Sequence, residues 1–139
     1  MKAYLIAYVV AALAMLGLDA IWLGTMSARL YRPLLGDILL DGFRPAPAIA
    51  FYLLYVLGIV IFAVQPAFAS GRWTSALLYG GLYGFFCYAT YDLTNQATLK
   101  SWSTTITFVD IAWGVLLSAG AASIAFLVAS RFADSPAQV

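Results

Sequence analysis

Residues 3–26, AYLIAYVVAALAMLGLDAIWLGTM, decide the fold. Asp19 is the one charged side chain in the stretch; the rest is apolar, aromatic, small or weakly polar. A hydrocarbon layer about 30 Å thick takes roughly 20 apolar residues as a helix, so this run is long enough to cross a bilayer. Lys2 ahead of it imitates the start of a secretory signal. The apolar run continues through Ile21, Trp22 and Leu23, however, which is too long for a signal's hydrophobic region. It reads as a permanent anchor.

Three more stretches follow the same logic, giving spans at about 3–26, 48–69, 74–95 and 104–130. Pro45 and Pro47 open the second, and Gln65-Pro66 falls near its close. A turn at Ser70, Gly71, Arg72 and Trp73 leads to the third, and residues 96–103 lead to the fourth. Arg131 and a polar tail to Val139 end the chain. The composition agrees: 64% of the 139 residues are hydrophobic and 9% charged, where a soluble domain carries roughly 25% charged residues. Short connections imply antiparallel neighbours. The expected fold is all-α: a polytopic, antiparallel four-helix transmembrane bundle, one domain over residues 1–139.

The longest connection, residues 27–46, has a pattern of its own. Leu30, Tyr31, Leu34, Leu35, Ile38 and Leu39 recur at helical spacing, with Arg32, Asp37 and Asp41 elsewhere on the wheel. That predicts a short interfacial helix between spans one and two. Inside the spans, Gly80 and Gly84, and Gly114, Ser118 and Ala122, are four residues apart. Small residues at that spacing let helix backbones approach closely in lipid.

Composition also narrows the chemistry. A net charge of +1 gives no basic patch for nucleic acid, so none is expected as a partner. Histidine is absent, which removes histidine-ligated haem, di-iron histidine boxes and histidine acid–base catalysis. No cofactor and no metal centre is expected. The single cysteine, Cys87, excludes an internal disulfide.

What remains is acid. Asp19, Asp92 and Asp110 lie inside spans, where an aspartate at a helix centre costs roughly 2.5–3.5 kcal/mol and usually faces the bundle. Asp19 and Asp92 fall late in spans one and three, while Asp110 falls early in span four, which runs the other way. All three therefore sit at similar depth. Asp19-Ala20-Ile21-Trp22 and Asp110-Ile111-Ala112-Trp113 repeat a D-x-x-W pattern, which puts each indole on its aspartate's face. In span three Tyr88, Asp92 and Asn95 share a face, with Tyr91 beside them, and Tyr52 and Tyr55 enter span two at the same level. The expected binding site is Asp19, Trp22, Tyr52, Tyr55, Tyr88, Tyr91, Asp92, Asn95, Asp110 and Trp113. A structural account stands beside it. Arg29, Arg32, Arg44 and Lys100 lie on the same side and could pair with these acids, and tryptophan and tyrosine are normal at membrane interfaces.

Several blocks resemble a known family. They are K-A-Y-L-I-A-Y from Lys2, L-D-A-I-W-L-G around Asp19, F-Y-L-L-Y-V-L-G from Phe51, Y-A-T-Y-D-L-T-N around Asp92 and V-D-I-A-W-G around Asp110. Together they resemble a family of small four-span bacterial inner-membrane proteins, described as a domain of unknown function. The resemblance implies a multi-pass protein of the bacterial inner membrane and supplies no activity. Cations divide almost evenly: Lys2, Arg72 and Arg131 with the amino terminus on one side, Arg29, Arg32, Arg44 and Lys100 on the other. A lysine preceding the first span favours cytoplasmic termini.

Three functions fit this pattern. The first is binding or transport of a small or amphipathic molecule with proton or cation coupling, in a bundle small enough to need a homodimer for a pathway. The second is an intramembrane enzyme modifying a lipid through paired carboxylates. The third is a structural or accessory membrane subunit whose polar layer fixes helix packing.

Overall fold

Long apolar runs in a membrane must satisfy their backbone groups internally, and this chain does so as helices. A computed structural model describes residues 1–133 and holds four long helical runs, with no strand among the described residues. The tail expected after Arg131 extends beyond them. The runs are α1, Lys2–Ile38; α2, Pro45–Ser70; α3, Trp73–Thr98; and α4, Thr104–Ser130. By length and apolarity α1, α2 and α4 can each cross a membrane. The third expected span, α3, has 26 residues, about 39 Å at the α-helical rise. Its closing turns carry Thr90, Asp92, Thr94, Asn95, Gln96 and Thr98, and it falls short of the apolarity of the other three.

Between spans one and two the expected short helix is not a separate element. Nothing in Ser27–Tyr31 breaks a helix, so α1 continues out of the first span through a wide turn in which the Arg32 N–H donates to the Ser27 carbonyl. Arg32–Leu35 and a tighter turn at Gly36–Ile38 complete it. Pro33 explains the wide turn, because proline has no N–H to give and its ring crowds the carbonyl four residues back. Leu35 is buried, while Leu34, Ile38 and Leu39 stay exposed.

The same device recurs in α2. Pro66 is preceded by a wide turn, Val60–Val64, closed by the Gln65 N–H on the Val60 carbonyl. The helix therefore passes the proline and continues to Ser70. It stops at Gly71, whose φ of 64° is left-handed and favours glycine. There the Gly71 and Arg72 N–H groups return to the Phe68 and Ala67 carbonyls. At the start of α4, the Ser103 hydroxyl caps the Ile106 N–H.

Packing rests on ridges of small residues spaced by four. The ridge of α3 runs Ala76, Gly80, Gly84, and that of α4 runs Gly114, Ser118, Ala122; all are buried. They lie against each other in opposite chain directions. A methyl added at Gly80 would come within 2.7 Å of the Ser118 carbonyl oxygen, and one at Gly84 within 2.0 Å of that of Gly114. On α1 the ridge is Ala7, Ala11, Met15, packed with Ile59, Ala63 and Ala67 of α2 and Leu117, Ala121 and Ala125 of α4. The Tyr8 hydroxyl ties α1 to α2 by donating to the Leu53 carbonyl at 3.0 Å.

Candidate functional site

Each of these ridges carries an acid. Counting by four, α1 passes from Ala7, Ala11 and Met15 to Asp19; α3 passes from Gly80 and Gly84 through Tyr88 to Asp92; α4 starts at Ile106 and Asp110 before Gly114. Faces narrow enough for close packing therefore turn three carboxyl groups into the protein. Their exposures are 7% for Asp19, 0% for Asp92 and 8% for Asp110.

Asp19 is fully partnered. Its Oδ2 accepts from the Tyr52 hydroxyl at 2.5 Å, and its Oδ1 accepts from the Trp113 indole N–H at 3.1 Å. Trp113 in turn stacks on Trp22, with ring centroids 4.4 Å apart and planes 7° from parallel. The Trp22 N–H donates to the Tyr31 hydroxyl at 3.0 Å, and that hydroxyl donates to Asp110 Oδ1. The two D-x-x-W segments are thus crossed. Each indole serves the aspartate of the opposite helix, Trp113 directly and Trp22 through Tyr31. The donors on these carboxylates are phenols and an indole, with no cation among them. The Arg32 guanidinium instead reaches the Asp41 carbonyl oxygen, at 3.5 Å.

Asp92 is different. Neither of its carboxyl oxygens has a hydrogen-bond donor from the protein, and the antiparallel register of the two ridges, with Gly84 against Gly114 and Tyr88 resting on Gly114, sets it opposite Asp110 on the next turn. Two carboxylates this close repel strongly. A proton held between them removes that repulsion and turns one acid into a donor for the other.

Beside the pair is a cavity of about 430 Å³ lined by Phe51, Tyr55, Cys87, Tyr88, Tyr91 and Asp110. Tyr55 is fixed at its back wall by a 2.8 Å hydrogen bond with the Ser118 hydroxyl. Tyr88 meets Tyr55 edge-on, centroids 6.2 Å apart, and rests on the bare backbone of Gly114, where a methyl would fall 2.3 Å from the ring. Glycine at 114 is what lets that ring reach the site. Tyr91 is 59% exposed at the cavity's rim, set edge-on against Trp102.

The structure brings together Asp19, Trp22, Tyr52 and Trp113 in the crossed array, Asp92 with Asp110, and Tyr55, Tyr88 and Tyr91 around the cavity. Asn95 does not line that cavity. With Tyr91, which borders both, it lines a second cavity of about 410 Å³ between the end of α1, at Leu35 and Ile38, and the α3–α4 connection, at Lys100 and Trp102. Among the described residues no three acid, thiol or imidazole groups gather closely enough to hold a metal ion. Sequence reasoning missed Tyr31, which it assigned to a lipid-facing leucine stripe. It also missed Phe51 and Cys87 in the cavity wall and the hydrogen bond that Ser118 makes. The one available signal for Tyr31 was a phenol among leucines, a polar tip that needs a partner when buried.

Long apolar helices carrying a polar, aromatic and acidic interior define a membrane protein. The chain belongs to the family described as predicted membrane protein (DUF2177), which matches residues 4–127 and has no assigned function. No curated protein and no solved structure matches it.

Proposed function

We propose that this protein is a four-span, antiparallel bundle of the bacterial inner membrane that binds or transports a small or amphipathic molecule, coupled to a proton held by Asp92 and Asp110. One observation carries the reading: Asp92 is completely buried, lacks any hydrogen-bond donor, and faces a second acid at the edge of an aromatic cavity. A purely structural carboxylate in that setting would be expected to have a cation or several N–H donors, since leaving it bare costs stability. Asp19 has its donors, and its role in this reading is to brace α1 against α2 and α4. The α3 helix completes the bundle, its polar closing turns lying at the level of the acids. In this reading both termini lie in the cytoplasm, supported by Lys2 ahead of the first span.

Infrared spectroscopy of the protein reconstituted in bilayers tests the shared proton. Wild type should show the C=O stretch of a protonated carboxyl group at neutral pH. Asp92→Asn should lose that band, because Asp110 then receives an amide N–H as well as the Tyr31 hydroxyl. Absence of the band in wild type would overturn the proposal.

A further inference from the structure

We infer that the cavity beside Asp110 accepts an amphipathic organic cation, an ammonium group on an aryl or alkyl body, in exchange for the proton of the Asp92–Asp110 pair. The inference rests on the proton-holding pair proposed above and names the class of molecule the site takes.

Three features of the cavity point to this class. Its walls are aromatic, with Phe51, Tyr55, Tyr88 and Tyr91 presenting rings to a space of about 430 Å³. Ring faces carry negative potential and attract ammonium groups, most strongly where water is excluded. The one carboxylic acid in the lining is Asp110, and no lysine or arginine joins it. Finally, the groups around Asp110 leave its charge without a cation: Tyr31 donates from α1, Asp19 adds like charge from the same helix, Asp92 stands opposite on α3, and α2 contributes only Phe51 and Tyr55 to the wall.

An anionic molecule would meet like charge and no cationic donor. A neutral apolar molecule would fit the rings but leave the acid pair unused. An ammonium uses both. Its charge replaces that of the departing proton, so the site's net charge is unchanged: the cation enters, and one proton leaves the pair for water. No covalent bond is made or broken other than that O–H.

The test uses the full-length protein in detergent and two probes of nearly the same shape. Benzyltrimethylammonium carries the charge; neopentylbenzene has carbon in place of the charged nitrogen. Calorimetric titration with the cation, repeated in two buffers of different ionisation enthalpy, reports binding and the number of protons released. Wild type should bind the cation and release about one proton per cation. Asp110→Asn should weaken binding by about tenfold or more, the factor expected from losing a charged partner. Asp92→Asn should keep binding, since Asp110 remains, but release no proton. Neopentylbenzene should not compete.

Equal competition by neopentylbenzene would overturn the inference, because charge would then play no part. Failure of the cation to bind wild type at all would overturn it too. The infrared band separates the two levels of the argument. A protonated carboxyl present but not displaced by the cation sinks only the choice of ligand, whereas no protonated carboxyl sinks the pair itself. Asp110→Asn must retain the wild-type helical circular dichroism for its loss to count. Should it misfold, Tyr88→Leu supplies the second variant: it keeps an apolar wall, removes one ring, and should weaken the ammonium severalfold.

Discussion

Asp19 and Asp92 offer the same substitution, aspartate to asparagine, in two opposite settings. At Asp19 both carboxylate oxygens accept hydrogen bonds, from Tyr52 at 2.5 Å and Trp113 at 3.1 Å. An asparagine has one oxygen and one amide nitrogen to offer. It can accept from Trp113 and donate to the Tyr52 oxygen, but the Tyr52 O–H then loses its acceptor and both bonds lose their charge. The cost of a stranded buried donor is about 1–3 kcal/mol. At Asp92 no protein donor is lost, because none is present. The new amide N–H can donate to Asp110 in place of the shared proton, so the change should stay within about 1 kcal/mol of wild type. Reversible unfolding in mixed micelles of dodecylmaltoside and SDS measures both variants on one scale. Asp19→Asn should be clearly the less stable of the two. A loss of about 3–5 kcal/mol at Asp92 would match a broken buried ion pair and refute the assignment of that residue to a proton-holding site.

Further outcomes follow from the packing and the indoles. Gly84→Ala puts a methyl 2.0 Å from the Gly114 carbonyl oxygen and should cost about 1–3 kcal/mol or more. Gly17→Ala on α1, with nothing within 4 Å of the new methyl, should be neutral or stabilising by up to about 1 kcal/mol; the same mixed-micelle unfolding reads both. Trp22 and Trp113 stack closely enough to couple optically, so wild type should show an exciton couplet in circular dichroism that Trp113→Phe abolishes. Tyr31→Phe removes a donor from Asp110 and the acceptor of the Trp22 N–H. A stability loss of about 1–3 kcal/mol is expected from it, with the couplet retained.

Much of this was legible before any coordinates. The residue range expected for the last span is that of α4, Thr104–Ser130, because a long apolar stretch between a serine cap and an arginine leaves little choice. That three acids fall on the packed faces of the helices could be anticipated simply by counting along them. Partnerships were not legible. Which donor reaches which oxygen depends on how each helix is rotated and how closely its neighbours approach, and Tyr31, 79 residues from Asp110 in sequence, gives no local sign of meeting it. The connection after residue 26 is helical to Ile38, as its leucine stripe predicts, but it continues the first helix instead of standing apart, for a related reason. A leucine stripe tells that a segment is amphipathic, but not whether the preceding helix has stopped.

The wide turn in α2 sets a rotational phase. Val60–Val64 holds one residue more than an α-helical turn would, and each residue in a helix is worth about 100° of rotation. With the Gly71 end of α2 held against the core, removing one residue from that turn would restore a regular helix. Everything on its amino-terminal side would turn by about that angle, carrying Tyr52 away from Asp19 and Tyr55 away from Ser118. Pro66, which lines neither of the cavities described above, would then be what keeps two phenols pointed at the site eleven and more residues away.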